Sequence, residues 1–167
     1  MRSHGLRPMG LYRHPLKRRR DTNMSYDLWD IAQTIDRAFH ARDIEGIATY
    51  WDDEIDYVAP GASLIGKDAR RLAEQVWFDA FPDAHIHVRS HFVGQDFVLM
   101  ESTMTGTHTG PFLTGEMTIP PTGRRINGDY AVLLHFREGK IIKQRIYFDR
   151  LALMLDIGLG PTVIGDR

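Results

Sequence analysis

The chain reads as an α+β protein, a curved and mostly antiparallel sheet wrapped around helices from its first half. Two observations carry that expectation. Apolar residues between residues 28 and 80 recur at helical spacing, whereas from about residue 86 onward they alternate with a period near two. Helices gathered first and hairpins after them imply α+β packing rather than a doubly wound α/β sheet.

Taken in order, Ser25 is a suitable cap for a first helix carrying Leu28, Ile31, Ala32, Ile35, Ala38 and Phe39 on one face. Asp43 can cap a short second helix with Ile44, Ile47 and Ala48. A short strand follows, with Ile55, Tyr57 and Ala59 alternating against Asp56 and Val58, and Pro60-Gly61 ends it. Residues 66–80 form a third helix, whose expected apolar stripe is Ala69, Leu72, Ala73, Val76, Trp77 and Ala80; Pro82 cannot continue it. Four strands then succeed one another. The first holds Ile86, Val88, Phe92 and Val93, with "GQD" as its turn; the others cover 98–109, 124–136 and 141–149, joined through "PPTG" and "REGK". A last short helix covers about 150–157 and stops at Gly158 and Gly160.

With 167 residues, the chain has room for one domain with a core. Hydrophobic residues make up 43% and charged residues 26%, the balance of a globular protein. The first 24 residues stand apart as basic and without helical period. They read as a disordered leader or as sequence upstream of a start at Met24. Their Arg-rich, acid-poor composition also fits a transit peptide, and Lys17 to Arg20 would suit a nucleic-acid tail. The expected domain is 25–160, with a tail at 161–167. A net charge of −1 offers no general pull on nucleic acid or an acidic membrane, and no apolar run is long enough to span a bilayer. The absence of cysteine removes disulfides, thiolate nucleophiles and cysteine metal sites, and suits the cytoplasm.

Several residues could carry chemistry. Lys143, Arg145, Tyr147 and Asp149 share one face of the last strand; Ile142, Gln144, Ile146 and Phe148 share the other. If the charged face lines the hollow of the sheet, Asp149 is a buried base of useful strength; otherwise it caps the last helix. Across the hairpin, Asp129 and His135 fall on the parity that would join Arg145 and Tyr147. His108, within "GTHTG", reads either as a donor to a carbonyl oxygen or as a solvated residue of a surface hairpin, and the glycines suggest a bend or close backbone approach. Trp29, Trp51, Tyr57, Trp77 and Phe112 are candidates for an apolar pocket wall. His85, His87 and His91 share a strand face, but alternating polar residues normally mark the wet side of a sheet, so no metal is expected. There is no Gly-rich phosphate loop, HExxH or GxSxG.

The segments "GTHTGPFL", "PPTGRRI" and "REGKIIKQRIYFDRLALMLDIGL", with the helix-rich first half, resemble the SnoaL-like polyketide cyclases, within the nuclear-transport-factor-2-like cone fold. The resemblance covers about residues 25–159. It implies a cone-shaped α+β barrel whose open end admits a small hydrophobic carbonyl compound, without metal or cofactor. It implies that Asp149 is the general acid–base of an intramolecular aldol closure, with His135 and His108 matching the family's histidines. It also implies a homo-oligomer, a dimer or tetramer. A second branch of the same fold, similar to limonene epoxide hydrolase, would use Asp129, Arg145 and Asp149 to open an epoxide. A non-catalytic ligand-binding or dimerisation module is the remaining alternative.

Overall fold

A computed structural model of the chain describes residues 26–160 except 116. The expected leader, the Ser25 cap and the tail at 161–167 lie outside the described residues. The helices are α1 (Leu28–His40), α2 (Ile44–Ala48), α3 (Lys67–Ala80) and α4 (Arg150–Asp156). The strands are β1 (Trp51–Ala59), β2 (Ala62–Ile65), β3 (His85–Val93), β4 (Phe97–Thr107), β5 (Phe112–Thr114), β6 (Met117–Ile119), β7 (Arg125–Arg137) and β8 (Lys140–Phe148).

Six strands form one sheet in the order β2-β1-β8-β7-β4-β3, and β5 pairs with β6 apart from it. Every pairing is antiparallel except β1 with β8, which is parallel and ties the first half of the chain to its end. The four-strand succession read from the period-two pattern is therefore present, and the α+β cone is the observed fold. Strands β2, β5 and β6 are too short to leave a periodic signature.

Local chemistry explains the boundaries. Asp27 caps α1, its carboxylate accepting from the Trp29 and Asp30 N–H groups at 3.0 and 3.1 Å. Asp43 caps α2 as expected, accepting from Gly46 N–H at 2.8 Å. The β7–β8 turn places Glu138 and Gly139 at φ of 52° and 75°, the left-handed pair of a type I′ hairpin.

The core lies between the sheet's concave face and the helices, with Trp51, Ile55, Phe81, Val98 and Ile141 almost wholly enclosed. Helix α3 departs from its expected stripe. Leu72 is 71% exposed, whereas Arg70, Glu74, Phe78 and Ala80 are buried. The buried face includes two charged residues that a hydrophobic count overlooks, because they satisfy one another inside the cone. No helix among the described residues is long and apolar enough to cross a membrane.

The "GTHTG" segment is structural. Thr109 and Gly110 N–H groups donate to the Ala80 carbonyl at 3.1 and 3.2 Å, seating the segment on the end of α3. His108 is fully buried between Phe81 and Phe112, with Nδ1 3.0 Å from Thr122 Oγ1. Its carbonyl accepts from Thr122 and Gly123, so the "PPTG" loop is held to it. The solvated surface hairpin is thus excluded, while the close backbone approach is real: a Cβ on Gly110 would stand 1.9 Å from the Asp79 carbonyl oxygen.

Two outcomes are expected. Gly110→Ala forces backbone apart and lowers stability by about 1–3 kcal/mol in urea unfolding; an unchanged midpoint would show that the contact relaxes freely. Burial pushes the His108 imidazole below its ordinary value, against a smaller opposite pull from the Gly110 backbone. A lowered folded-state pKa gives stability that is present above the unfolded value, about 6.5, and lost as pH falls through the folded one. Wild-type protein should therefore lose stability more steeply between pH 7.5 and 5 than His108→Gln; equal slopes would remove His108 as the cause.

Candidate active site

Because β-strand side chains alternate, one residue parity of each central strand faces the helices. On β8 it is Gln144, Ile146 and Phe148; on β7, Tyr130, Val132 and Leu134; on β4, Met100, Ser102 and Met104. These side chains, with α1, α3 and α4, enclose a cavity of about 480 Å³. That size fits a small organic ligand. Most of its wall is apolar, so each polar group in it stands out.

Arg70, only 4% exposed, is the most constrained of them. Its Nη2 pairs with the Glu74 carboxylate and its Nε donates to Gln144 Oε1 at 3.1 Å. The guanidinium lies over the rings of Trp51 and Tyr57, 4.7 and 4.4 Å from their centroids. Burial pushes the Tyr57 phenol up, against the pull of Arg70, so it stays protonated.

Asp36, from α1, is a half-buried carboxylate on the cavity wall. Burial raises its pKa, opposed by His40, His85 and Arg37. His40 accepts the Ile86 N–H at Nε2 (3.1 Å), which assigns its proton to Nδ1, the nitrogen 3.6 Å from Asp36 Oδ2. His85 stacks on His40 with ring centroids 4.4 Å apart. Tyr130 completes the group. Its phenol is pushed far up, first by burial and further by Asp36 and Glu74, with Ser102 opposing, so it remains a proton donor at any working pH.

The expected site residues divide. Trp51, Tyr57 and Trp77 line the cavity, and Phe112 packs behind Trp77 at 5.1 Å as part of the core. Asp149 reaches the cavity's edge but is exposed, and its Oδ1 accepts the Ala152 N–H at 3.0 Å as the cap of α4. Of the rest, only Asp129 also contributes to the lining. His135 is on the outer parity of β7 beside Phe97, with ring centroids 6.1 Å apart. Tyr147 is 60% exposed on the outer face of β8. Arg145 donates to the Asp56 carbonyl at 2.7 Å and pairs with the Asp56 carboxylate, which it holds below the usual range. The Asp129 carboxylate binds Arg89 at 3.0 Å and Thr103 Oγ1 at 2.7 Å. Asp129, Arg145 and Asp149 therefore do not assemble the bridged triad that epoxide opening would need. His108, packed in the core, is not on the cavity wall.

The parity split along β7 and β8 is present, and of the two faces left open on β8 the apolar one lines the cavity. The outer charges are held by neighbours on the same wet face. Asp36, Arg70, Glu74, Ser102, Tyr130 and Gln144 were the residues overlooked. Asp36 lies four residues after Ala32 and three before Phe39, inside the apolar stripe of α1, and that misplaced charge was the signal to follow. The expected histidine row also breaks. A bulge between Val88 and Ser90 sets His91 opposite inward-facing Met100, where it stacks on Trp29 with centroids 3.6 Å apart. Among the described residues no cluster of three or more His, Asp or Glu is placed to hold a metal ion.

Solved structures share this architecture. A putative hydroxylase, AclR from Streptomyces galilaeus, is similar at 24% identity and a TM-score of 0.69, covering 81% of this chain and 87% of its own. A putative SnoaL-like polyketide cyclase from Jannaschia sp. CCS1 aligns at 22% identity and a TM-score of 0.69, over 84% of this chain and 100% of its own. IdmH, a putative polyketide cyclase from Streptomyces antibioticus, aligns at 20% and 0.65, over 80% and 99%. At these identities the likeness establishes the fold. No curated protein sequence matches significantly. The model of the SnoaL-like polyketide cyclases matches residues 30–157, and the chain belongs to that family.

Proposed function

We propose that the chain is a cofactor-independent acid–base enzyme of the polyketide-cyclase type, closing a ring by aldol chemistry, or shifting a proton, in a small hydrophobic carbonyl compound held in the cone. The observation that carries this reading is Asp36, a carboxylate of raised pKa in an apolar cavity, with the protonated Tyr130 phenol within its electrostatic reach. Family membership supports it independently.

In this reading Asp36 removes a proton from carbon flanked by carbonyl groups. Partial desolvation makes it a stronger base than a hydrated carboxylate. The enolate oxygen accepts a hydrogen bond from Tyr130. The carbanion attacks a second carbonyl of the same molecule, the carbon–carbon bond forms, and the new alkoxide takes the proton back from Asp36. Nothing is oxidised or reduced, so the step calls for no cofactor. Asp149, at the rim, serves as helix cap and as an acidic group at the entrance. The resemblance puts the proton transfer at Asp149 instead; the two assignments differ in hydration, and experiment separates them.

Exchange of the α-hydrogens of 2-tetralone in D2O reads proton abstraction without knowledge of the natural substrate. Asp36→Asn should slow it about 100-fold or more, while Asp149→Asn should leave it within a few-fold and, because asparagine caps a helix about as well as aspartate, leave stability nearly unchanged. The reverse pattern would return the base to Asp149, and exchange insensitive to both would leave a binding module.

Stability supplies a second readout. A carboxyl whose folded pKa is raised gives stability present below its unfolded value and lost as pH rises through the folded one. Asp36→Asn should therefore be more stable than wild type at neutral pH, with the difference shrinking toward acid. A loss of stability at neutral pH would mean that Asp36 serves a structural ion pair.

A further inference from the structure

Arg70 has more donors than the protein uses. Nη2 is taken by Glu74 and Nε by Gln144, and the flat faces of the guanidinium are covered by Trp51 and Tyr57. Nη1 is buried and has no partner among the described residues. An unpaired charged donor inside a protein is costly, and evolution seldom leaves one without use. The side chain belongs to the cavity wall. All other freedom of the guanidinium is removed, so its remaining N–H is held in place before any ligand arrives.

We infer that Arg70 Nη1 is the oxygen-binding donor of the cavity, that it takes a neutral acceptor such as a ketone, ester or quinone carbonyl, and that Glu74 is the positioning residue that aims it and makes the site reject anions. This deepens the functional reading above and rests on the cavity being the substrate site. Charge decides for a neutral oxygen over a carboxylate. Glu74 already neutralises Arg70 at contact distance. Asp36 and Asp129 contribute to the same lining, with Asp149 and Asp156 at the edge formed by α4, and Arg70 is the cation of that wall. Arg42 stands off the wall; its Nη2 donates to the Pro82 and Ala84 carbonyls, both at 2.7 Å, and its own buried, unpartnered Nη1 belongs to a side chain outside the cavity lining. A ligand carboxylate would meet an already paired guanidinium and several like charges. A carbonyl oxygen gains the charged hydrogen bond and brings no charge of its own.

Three probes of nearly one shape separate the possibilities: 1-tetralone carries a carbonyl, tetralin has no oxygen, and 1-naphthoate is an anion. Binding to the full chain is read by quenching of tryptophan fluorescence, since Trp51 and Trp77 line the cavity. In wild-type protein, 1-tetralone should bind about 10-fold or more tightly than tetralin, and 1-naphthoate more weakly than 1-tetralone. Arg70→Met alone leaves Glu74 buried without its partner and risks unfolding. The double variant Arg70→Met with Glu74→Leu replaces the pair by apolar groups; it should fold, bind tetralin as wild type does and lose the preference for 1-tetralone. Glu74→Gln should shift selectivity toward 1-naphthoate, a change that a merely structural Glu74 would not produce.

A wild-type preference for 1-naphthoate would overturn the neutral-ligand assignment. Retention of the tetralone preference in the folded double variant would overturn Arg70 as the donor, even with the Asp36 exchange result standing. Failure of wild type to bind either 1-tetralone or tetralin would remove the cavity as a ligand site, and the inference with it.

Discussion

The ion pair between Arg70 and Glu74 governs how the rest of the cone is arranged. Two charges enclosed by apolar walls cost several kcal/mol each in lost hydration, and their mutual attraction offsets that only with good geometry and further hydrogen bonds. Here the further partners come from two strands. Gln144 belongs to β8, Trp51 and Tyr57 to β1, and both charged residues to α3. The pair therefore dictates which face α3 turns inward, and Leu72 is left in solvent as a result. It also joins the helix to the two strands whose parallel pairing connects the chain's halves.

A cone that keeps a cavity forgoes packing that a solid core would have, so its walls must be held from outside. The outer face supplies such ties. Arg145 clamps β8 to Asp56 on β1, and Asp129 on β7 binds Thr103 on β4 and Arg89 on β3. Partly exposed ion pairs of this kind are individually weak. Their effect lies in matching each strand to its neighbour in the register that sends apolar residues inward. At the far end, "GTHTG" and "PPTG" lock β4 and β7 against the end of α3 through His108 and the Ala80 carbonyl. The residues that looked most like catalytic equipment in the sequence, His135, Tyr147, Arg145 and Asp129, belong to this outer layer or lie on its face.

This explains what the sequence disclosed and what it withheld. Helix α1, the hairpin at Glu138-Gly139 and the β7–β8 alternation follow from short-range rules, and each is where those rules put it. The turn of α3 and the bulge at Val88 depend on packing between distant segments, which periodicity does not encode. Choosing the inner face of β8 was a choice between Arg145/Tyr147 and Gln144/Ile146/Phe148. Apolar content favours the second set, and a row of acid–base side chains marks the first. Burial followed apolar content, because three ionised groups on the inner face would each have needed a partner such as Glu74 gives Arg70.

The same reasoning separates Asp36 from Asp149. Both are aspartates in contact with the cavity, and both stand next to apolar residues in the sequence. Asp149 occupies the start of a helix, where its carboxylate accepts a backbone N–H and solvent reaches it. Asp36 sits mid-helix on the apolar stripe of α1, with backbone N–H groups already used in the helix and His40 as its charged-form partner only at 3.6 Å. Burial at Asp36 raises the cost of holding a negative charge. A group that takes and returns a proton at neutral pH needs such an environment, and the fold provides it at Asp36, on the same wall as the one donor of Arg70 that the protein leaves unused.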